Sequence, residues 1–428
     1  MREAKPISLE EQTEAQVRAI GQADILVGIP SFNNAATIGH VIKTTITGLA
    51  KHFPDRRTVL INSDGGSTDG TPDVAVTAGM DLGARLISDR QPLLHRFITP
   101  YRGTPGKSHA VRTIFEIARR LTARAGAVVD ADLRSMTPEW IELLIRPILD
   151  EGFDYVAPYY LQHKYEGMLT TSLVYPLTRA LYGVQVRQPI GSDFGFSGAL
   201  SRHYGEKSAW ESDITRFEID LWMTTEAVAS GMRVCQSFLG PKLQELKEQA
   251  ADLPTLLAEV VGTVFTCMEV HQHVWFSSQG SQPTPLFGFQ YEGSAEPAHV
   301  NVDRMMASFR RGLADLRPIW EVMLAPETLR ALVAAQRPTA SRVHIPDEVW
   351  ARTVYDCAAA FHRRRLNRTH VIKAMTPLYL GRTASFVMET QGLTTREAEE
   401  RTQRLGQVFE QCKPYLTDRW GPVEEVGS

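Results

Sequence analysis

Acidic residues at the ends of two apolar segments are the clearest indication of chemistry in this sequence. Asp130 and Asp132 flank Ala131 directly after the apolar stretch "AGAVV", and Asp64 ends the stretch "VLINSD". Two carboxylates that lie two residues apart can bind a hard divalent cation, and such a cation neutralises a diphosphate. A lone DxD pair also occurs in ordinary surface turns. Its position at the end of a predicted strand is what favours a functional interpretation.

The stretch "SDGGSTDGT", which begins at Ser63, predicts a sharp turn from a strand into a helix. The two glycines after Asp64 allow the backbone to change direction, and the Ser-Thr-Asp triplet contains residue types that cap helix N-termini. We expect Asp64 to point into a ligand crevice at the edge of a sheet. A tight turn organised by a capping aspartate is the alternative interpretation.

A glycine and a lysine precede another predicted helix in "RGTPGKSHAVRTIF". Backbone N–H groups at the start of a helix, together with Lys107, can bind a phosphate or another anion. The spacing is not GxxxxGK[ST], which argues against a P-loop ATPase. An ordinary helix start is the alternative.

Strand and helix patterns alternate over the first half of the chain. After a polar amphipathic helix near residues 8–21, strands are predicted at "DILVGIP", "RRTVLINSD", "ARLISD" and "AGAVVDADL". The helical period appears between them, in "NNAATIGHVIKTTITGLAKHF", "TPDVAVTAGMDLG" and "GKSHAVRTIFEIARRLTA". This alternation predicts an α/β fold with a mostly parallel, doubly wound sheet up to about residue 240, whose strand carboxyl ends form the ligand site.

Long helical patterns replace this alternation from about residue 242 onward. We therefore predict four segments: an N-terminal helix (1–22), an α/β domain (23–276), a linker or long loop rich in Ser, Gly, Gln and Pro (277–300), and a helical C-terminal region (301–428). A chain of 428 residues is long enough for more than one core.

Composition narrows the class of protein. The formal net charge is −3, so no bulk positive charge points to nucleic acid or to an anionic membrane as a partner. The four cysteines are far apart and form no CxxC pair, and neither a signal-peptide core nor an uninterrupted apolar run of about 18 residues is present. We expect a cytoplasmic protein.

Taken in order, "GIPSFNNAATIG", "SDGGSTDGT", "TPGKSHA" and "DADL" resemble the GT-A glycosyltransferases, and more narrowly the retaining enzymes that make glucosyl-3-phosphoglycerate and mannosylglycerate. The resemblance covers about residues 24–275 and rests on motif order and strand context. It implies a Rossmann-like GT-A fold, a UDP- or GDP-sugar donor, and Mg²⁺ or Mn²⁺ as cofactor. The implied reaction transfers glucose or mannose to a small anionic acceptor such as glycerate, 3-phosphoglycerate or a glycosylglycerate. A homodimer is left open.

The resemblance also implies roles for individual residues around the sugar donor. The positions that match the nucleotide-sugar-binding residues of the family are Pro30, Ser31, Asn33, Asp64, Gly106, Lys107 and Asp130. Asp132, helped by Asp130, would bind the metal. Gln244 stands where the family usually has a histidine ligand, and its amide oxygen can still ligate Mg²⁺ or Mn²⁺.

On the acceptor side, the resemblance implies contacts from Lys164 and Thr170, and from Gly191, Ser192 and Asp193 in "QPIGSD". Asp220, in "RFEID", would lie near the acceptor hydroxyl. Asp132, Lys107 and Asp220 are therefore the predicted catalytic residues.

Three other functions remain open from the sequence. An inverting family 2 transferase acting on a glycan or lipid would use Asp220 as general base, although the QxxRW signature is absent. A sugar-1-phosphate nucleotidyltransferase should carry a GxGxR loop, which "GIPSFNN" does not supply. A noncatalytic nucleotide-sugar-binding protein would bind sugar donors without transfer.

Overall fold

The computed structural model describes residues 9–86, 94–100, 107–207, 210, 219–244, 253–291, 300–335 and 344–421. The chain divides into two compact units that interleave in sequence. Unit 1 comprises Met1–Leu161, Ile190–Ala250 and Thr284–Gly293, and unit 2 comprises Gln162–Pro189, Ala251–Pro283 and Ser294–Ser428. The division into four contiguous segments that the sequence suggests stays a prediction.

Unit 1 contains an eight-stranded sheet with the order β3-β2-β1-β4-β6-β5-β7-β8. The strands are β1 Ile25–Ser31, β2 Thr58–Asp64, β3 Leu94–Pro100, β4 Ala125–Val128, β5 Tyr155–Leu161, β6 Phe194–Ser197, β7 Val234–Pro241 and β8 Leu286–Phe287. Only β6 runs antiparallel to its neighbours among these strands. The predicted mostly parallel α/β sheet is confirmed.

Helices flank this sheet in unit 1 and make up most of the described part of unit 2. In chain order they are α1 Glu11–Ile20, α2 Ile38–His52, α3 Thr71–Leu86, α4 Lys107–Arg120, α5 Glu139–Glu151, α6 Tyr175–Tyr182, α7 Gly198–Gly205, α8 Ile219–Ala229, α9 Leu253–Val270, α10 Gln272–Ser277, α11 Val302–Asp315, α12 Arg317–Met323, α13 Pro326–Ala334, α14 Asp347–Arg363, α15 Arg368–Thr390 and α16 Thr395–Trp420. The helical C-terminal region predicted from the sequence is therefore confirmed.

The packing of unit 1 explains why the strand sequences are continuous runs of apolar residues. Helices cover both faces of the sheet, so successive residues of β1 are buried whichever face they point to. On one face, Val41 and Ile46 of α2 pack with strand residues into the main cluster. On the other, α4 approaches β1 so closely that a Cβ on Gly28 would lie 2.5 Å from Ile114. Glycine at that position is what allows the close packing of helix and strand.

One predicted strand is wrong. The stretch "ARLISD" was expected to form a strand over 84–89, but residues 84–86 end α3, and 87–89 lie outside the described residues. α3 continues for 16 residues from Thr71, so Leu86 belongs to its last turn. The strand that pairs with β2 begins at Leu94.

Unit 2 is held together by contacts between helices that are distant in sequence. Arg179 of α6 donates from Nε to Oε1 of Glu410 in α16 at 2.5 Å, across 231 positions of the chain. Tyr175 donates its hydroxyl to Gln403 at 2.7 Å. These contacts make α6 and α16 one packing element.

The helix α9 has the length and the apolar composition of a membrane-spanning helix, but buried core helices also meet this criterion. Within unit 2 it packs as a core helix. Its buried residues include Leu257, Val261, Val264 and Met268, which recur at helical spacing. Phe265 forms an edge-to-face ring pair with Phe361 of α14.

Candidate active site

The loops that follow β1 and β2 are tied together by side-chain hydrogen bonds. Asn33, whose φ is 54°, accepts from the N–H of Thr68 at 2.9 Å and donates its own N–H to Ser67 at 2.8 Å. Asp69 accepts from the N–H of Ala35 at 2.9 Å. The two loops therefore form one rigid rim at the carboxyl edge of the sheet.

Asp64 is the organising residue of this rim. Its Oδ1 accepts from the hydroxyls of Ser31, at 2.9 Å, and Ser67, at 2.7 Å. Its Oδ2 accepts from the N–H groups of Gly66, at 2.9 Å, and Ser67, at 2.8 Å. These four bonds match the capacity of a carboxylate. The geometry supports the capped-turn interpretation, and the predicted contact of Asp64, Pro30, Ser31 and Asn33 with a nucleotide stays a prediction.

A group of two lysines and three aspartates lies at the same edge; we call Lys107, Lys242, Asp130, Asp193 and Asp220 the Lys–Asp cluster. Lys107, at the first position of α4, donates to Oδ1 of Asp130 at 2.9 Å and to Oδ2 of Asp220 at 3.1 Å. It also donates to the carbonyl of Ser192 at 3.3 Å. One ammonium thus joins the end of β4, the loop before β6 and the start of α8.

Lys242 is the second cation of the cluster, and sequence reasoning missed it. It follows β7 directly and donates to Asp130 Oδ2 at 3.1 Å, to Asp193 Oδ2 at 2.8 Å and to the Ser192 hydroxyl at 3.2 Å. Only 11% of its side chain is exposed. A lysine at the carboxyl end of a strand that neighbours acidic strand ends is the signal that could have identified it.

Asp193 has a structural function in the cluster. Its Oδ1 accepts from the backbone N–H of Asp130 at 2.7 Å, and its Oδ2 accepts from the Tyr160 hydroxyl at 2.5 Å. The side chain is completely buried. The carboxylate therefore fixes the position of the acidic turn after β4, and its predicted contact with an acceptor stays a prediction.

The lysines and aspartates of the cluster shift one another's pKa values. Burial disfavours the charged form of Lys107, but Asp130 and Asp220 outweigh it and raise the pKa of Lys107 above its ordinary value. For Lys242, burial is outweighed in the same way by Asp193 and Asp130, so its pKa is also raised. Burial would raise the pKa of Asp130, yet the two ammonium groups lower it. Both lysines and Asp130 are therefore charged at neutral pH.

Asp220 has fewer contacts than Asp130 among the residues that the structure describes. Its Oδ1 is buried and has no hydrogen-bond partner among the residues that the structure describes. Burial raises the pKa of Asp220, because the single ion pair with Lys107 compensates only part of the desolvation. A buried acceptor atom of this kind can bind a hydroxyl group that enters the site.

Asp132 and Gln244 lie together beside the cluster. Gln244 forms a bridge with Leu133, which brings its Nε2 to 3.0 Å from Oδ1 of Asp132 and to 3.4 Å from Oδ2 of Asp130. The amide ends of glutamine are nearly the same in shape. If the amide rotates by half a turn, its carbonyl oxygen faces Asp132, and these two residues would then hold a cation through oxygen atoms.

The net negative charge of the described site residues equals the charge that one divalent cation would neutralise. Among the described residues, the carboxylates of Asp130, Asp132, Asp193 and Asp220 face two ammonium groups, so two negative charges remain uncompensated when all four are ionised. Burial and the charge of Asp130 raise the pKa of Asp132. Within the described ranges, no group of three or more His, Cys, Asp or Glu side chains is arranged to hold a metal ion by itself. The residues fit an ion such as Mg²⁺, which keeps water and substrate phosphate as ligands.

The other predicted acceptor residues, Lys164 and Thr170, belong to unit 2. Lys164 donates to the carbonyls of Thr390, at 2.9 Å, and Leu393, at 2.7 Å, at the end of α15. Its ammonium thus acts as a C-terminal helix cap. Thr170 begins a short π-helical turn, Thr170–Val174. Their roles toward an acceptor stay predictions.

Two of the predicted glycines add little to the described site. Gly191 is buried in the loop that carries Ser192 and Asp193. Gly106, which precedes Lys107, lies outside the described residues.

Comparison with known proteins gives a partial match. Residues 26–203 match the family described as glycosyl transferase family 2. No curated protein sequence matches the chain significantly. The matched segment includes Lys107, Asp130, Asp132 and Asp193, and it ends before Asp220 and Lys242.

Several solved structures are similar to this chain. One is glucosyl-3-phosphoglycerate synthase from Mycobacterium tuberculosis in complex with Mn²⁺, UDP and glucosyl-3-phosphoglycerate, with 21% identity over 62% of this chain and 85% of that chain and a TM-score of 0.41. The same enzyme with Mn²⁺, UDP-glucose and phosphoglyceric acid has 20% identity over 63% and 86% of the two chains and a TM-score of 0.42. A structure described as a mycobacterial protein has 22% identity over 59% and 76% and a TM-score of 0.41.

Proposed function

From the match of residues 26–203 to the family described as glycosyl transferase family 2, we propose that the chain transfers a hexose from a nucleoside diphosphate sugar to a small anionic acceptor. The observation that carries the proposal is the Lys–Asp cluster. It combines two fixed ammonium groups with a carboxylate pair at the carboxyl ends of the strands, where doubly wound sheets bind ligands. Cations that are held in this way suit a diphosphate leaving group.

The ammonium groups would act on the leaving diphosphate. As the bond between the sugar and the diphosphate breaks, negative charge grows on the diphosphate oxygens. Asp130, Asp193 and Asp220 hold Lys107 and Lys242 in position before the reaction, so their positive charges are already in place when this negative charge grows. Removing one preorganised group of this type typically lowers kcat by about 10²- to 10³-fold.

A divalent cation is part of the proposal. Asp132 would bind Mg²⁺ or Mn²⁺, with Gln244 as a neutral oxygen ligand after rotation of its amide. The bound ion would supply Lewis-acid stabilisation of the diphosphate. The charge left uncompensated by the two lysines supports this assignment.

Two stereochemical courses are compatible with this site. With retention, the acceptor hydroxyl attacks from the face that the diphosphate leaves, and the departing phosphate oxygen takes its proton. With inversion, Asp220 takes the proton as general base. The Oδ1 of Asp220 has no hydrogen-bond partner among the described residues, and the pKa of this carboxyl is raised. Both observations favour a direct contact with the acceptor hydroxyl and keep inversion as the second candidate.

Transfer assays test the proposal. UDP-glucose, UDP-mannose, GDP-glucose and GDP-mannose are each combined with Mg²⁺ or Mn²⁺ and with glycerate, 3-phosphoglycerate or glucosylglycerate. The ligands named for the similar structures, UDP-glucose and phosphoglyceric acid, give the first pair to test. The anomeric proton coupling of the product distinguishes retention from inversion.

Asp132→Asn should abolish transfer, whereas the control Asp150→Asn should not, because Asp150 is an exposed acid paired only at 3.6 Å with Arg146. Thermal unfolding with each nucleotide sugar reports binding separately from turnover. The proposal fails if no nucleotide sugar stabilises the protein and no acceptor is glycosylated.

A further inference from the structure

We propose that Lys242 holds the divalent cation site in a weakly binding state until the sugar donor arrives. The inference rests on the proposed function, because it concerns the metal that would accompany a nucleotide diphosphate. It assigns to Lys242 the control of metal affinity, through its hold on Asp130.

The geometry of Asp130 is the first part of the argument. Its Oδ1 accepts from Lys107 at 2.9 Å and its Oδ2 from Lys242 at 3.1 Å, so each oxygen already has an ammonium partner. A cation that approached Asp130 would have to displace one of them, against mutual repulsion. Although Asp130 and Asp132 have the spacing of a ligand pair, only Asp132 is accessible to a metal in this arrangement.

The number of remaining ligands is the second part. Without Asp130, the described residues beside Gln244 offer one carboxylate, on Asp132, and one amide oxygen, on Gln244 itself after rotation of its amide. An ion such as Mg²⁺ binds firmly to so few protein ligands only when substrate phosphates complete its coordination. The metal and the nucleotide diphosphate should therefore bind with positive coupling, and by linkage each raises the affinity for the other by the same factor.

Replacement of Lys242 by methionine tests whether this lysine keeps Asp130 from binding the metal. The Oδ2 of Asp130 loses its ammonium partner and becomes a second carboxylate ligand beside Asp132. Asp193 keeps its bonds from the Tyr160 hydroxyl and the Asp130 N–H, which preserve the fold of the turn. Changes of groups that hold a metal ligand from outside typically alter affinity by roughly 10- to 100-fold. We expect Lys242→Met to bind Mn²⁺ alone about tenfold more tightly than the original protein.

Titration of Mn²⁺ into the full chain, followed by the electron paramagnetic resonance signal of free Mn²⁺, measures this affinity without turnover. Each protein is titrated alone and with saturating UDP. The original protein should bind Mn²⁺ weakly alone and more tightly with UDP, and Lys242→Met should show a smaller effect of UDP. Lys242→Arg keeps the positive charge and should behave like the original protein. Lys51→Met removes one exposed lysine that pairs with Glu139 and controls for net charge.

Three results would overturn the inference. The first is equal Mn²⁺ affinity of the original protein with and without UDP, and the second is an unchanged affinity in a folded Lys242→Met variant. The third result applies if the methionine variant does not fold. It is tight binding of Mn²⁺ alone by Lys242→Arg, because a variant that keeps the positive charge should keep the low Mn²⁺ affinity. Metal-dependent transfer accompanied by any of these results leaves the proposed function standing. If Mn²⁺ does not bind even in the presence of UDP, both the inference about Lys242 and the proposed function are refuted.

Discussion

Replacing Lys107 with methionine tests the electrostatic description of the site, whatever reaction it serves. Lys107 is the ammonium that joins Asp130 and Asp220, at 2.9 and 3.1 Å, and a quarter of its side chain is exposed. Methionine fills similar space without the charge, so the variant leaves two carboxylates facing each other with one cation fewer. Breaking a buried ion pair by removing one partner typically costs about 3 to 5 kcal/mol. We expect a loss near the lower limit, because Asp130 retains Lys242.

A double-mutant cycle with Asp220→Asn isolates the pairwise contribution. Asp220 has one ion-pair partner among the described residues and a pKa raised by burial, so its neutral replacement alone should cost little stability. When Asp220 is already neutral, removing Lys107 no longer leaves an unpaired charge there. The double variant should therefore be more stable than the sum of the single losses by about 1.5 to 3 kcal/mol, the range for a hydrogen bond to a charged group.

Urea unfolding at pH 7, followed by circular dichroism and tryptophan fluorescence, gives the four free energies of the cycle. Lys51→Met is the matched control, since that lysine forms an exposed pair with Glu139 and should change stability by less than about 1 kcal/mol. Additivity of the two single changes within about 0.5 kcal/mol would refute the coupling. A loss from Lys107→Met no larger than that of the control would refute the cluster itself.

Three further predictions concern other parts of the structure. Gln244→Ala should raise the Mg²⁺ concentration needed for half-maximal transfer, and Gln244→His should favour Mn²⁺, as metal titrations of activity will report. Lys164→Ala should lower stability by about 1.5 to 3 kcal/mol in thermal unfolding, because three carbonyls lose their cap; an unchanged melting temperature with a raised acceptor KM would instead favour an acceptor contact. Burial lowers the pKa of Lys413 to about 8 from its ordinary 10.5, so the unfolded chain binds more protons between these values. The urea midpoint should rise with pH across that window, and Lys413→Met should flatten the rise.

Asp193 precedes the antiparallel β6 and was placed at the site by the family resemblance. The convergence of Lys107 and Asp130 was predictable, because Asp130 follows one strand of the sheet and Lys107 begins the helix after another. Parallel strands bring their carboxyl ends to one edge, so position in the element pattern is enough to place these residues together. Asp220 and Gln244 required the family resemblance as well. They lie far along the chain, and no local pattern gives their register relative to β4.

Lys242 and Asp64 show what local patterns do not contain. Lys242 directly follows β7, and its partners Asp130 and Asp193 lie 112 and 49 positions away, so no local motif marks it. The partners of Asp64 include Ser31, which is 33 positions away. Such distant partners decide whether the hydrogen-bonding capacity of a carboxylate is used within the protein or is available to a ligand. The local stretch "SDGGSTDGT" does not distinguish these two possibilities. Lys164 is similar, since its carbonyl partners are more than 220 positions away.

The long sequence separation between Arg179 and Glu410 affects how the protein is made. At a synthesis rate of about 5 to 20 residues per second, α6 leaves the ribosome roughly 10 to 50 s before its partner helix exists. During that interval the apolar face of α6 and the arginine on it have no native partner in α16. Unit 2 can therefore complete its core only after translation is nearly finished, and chains that stop before residue 410 should be substrates for chaperones and proteases.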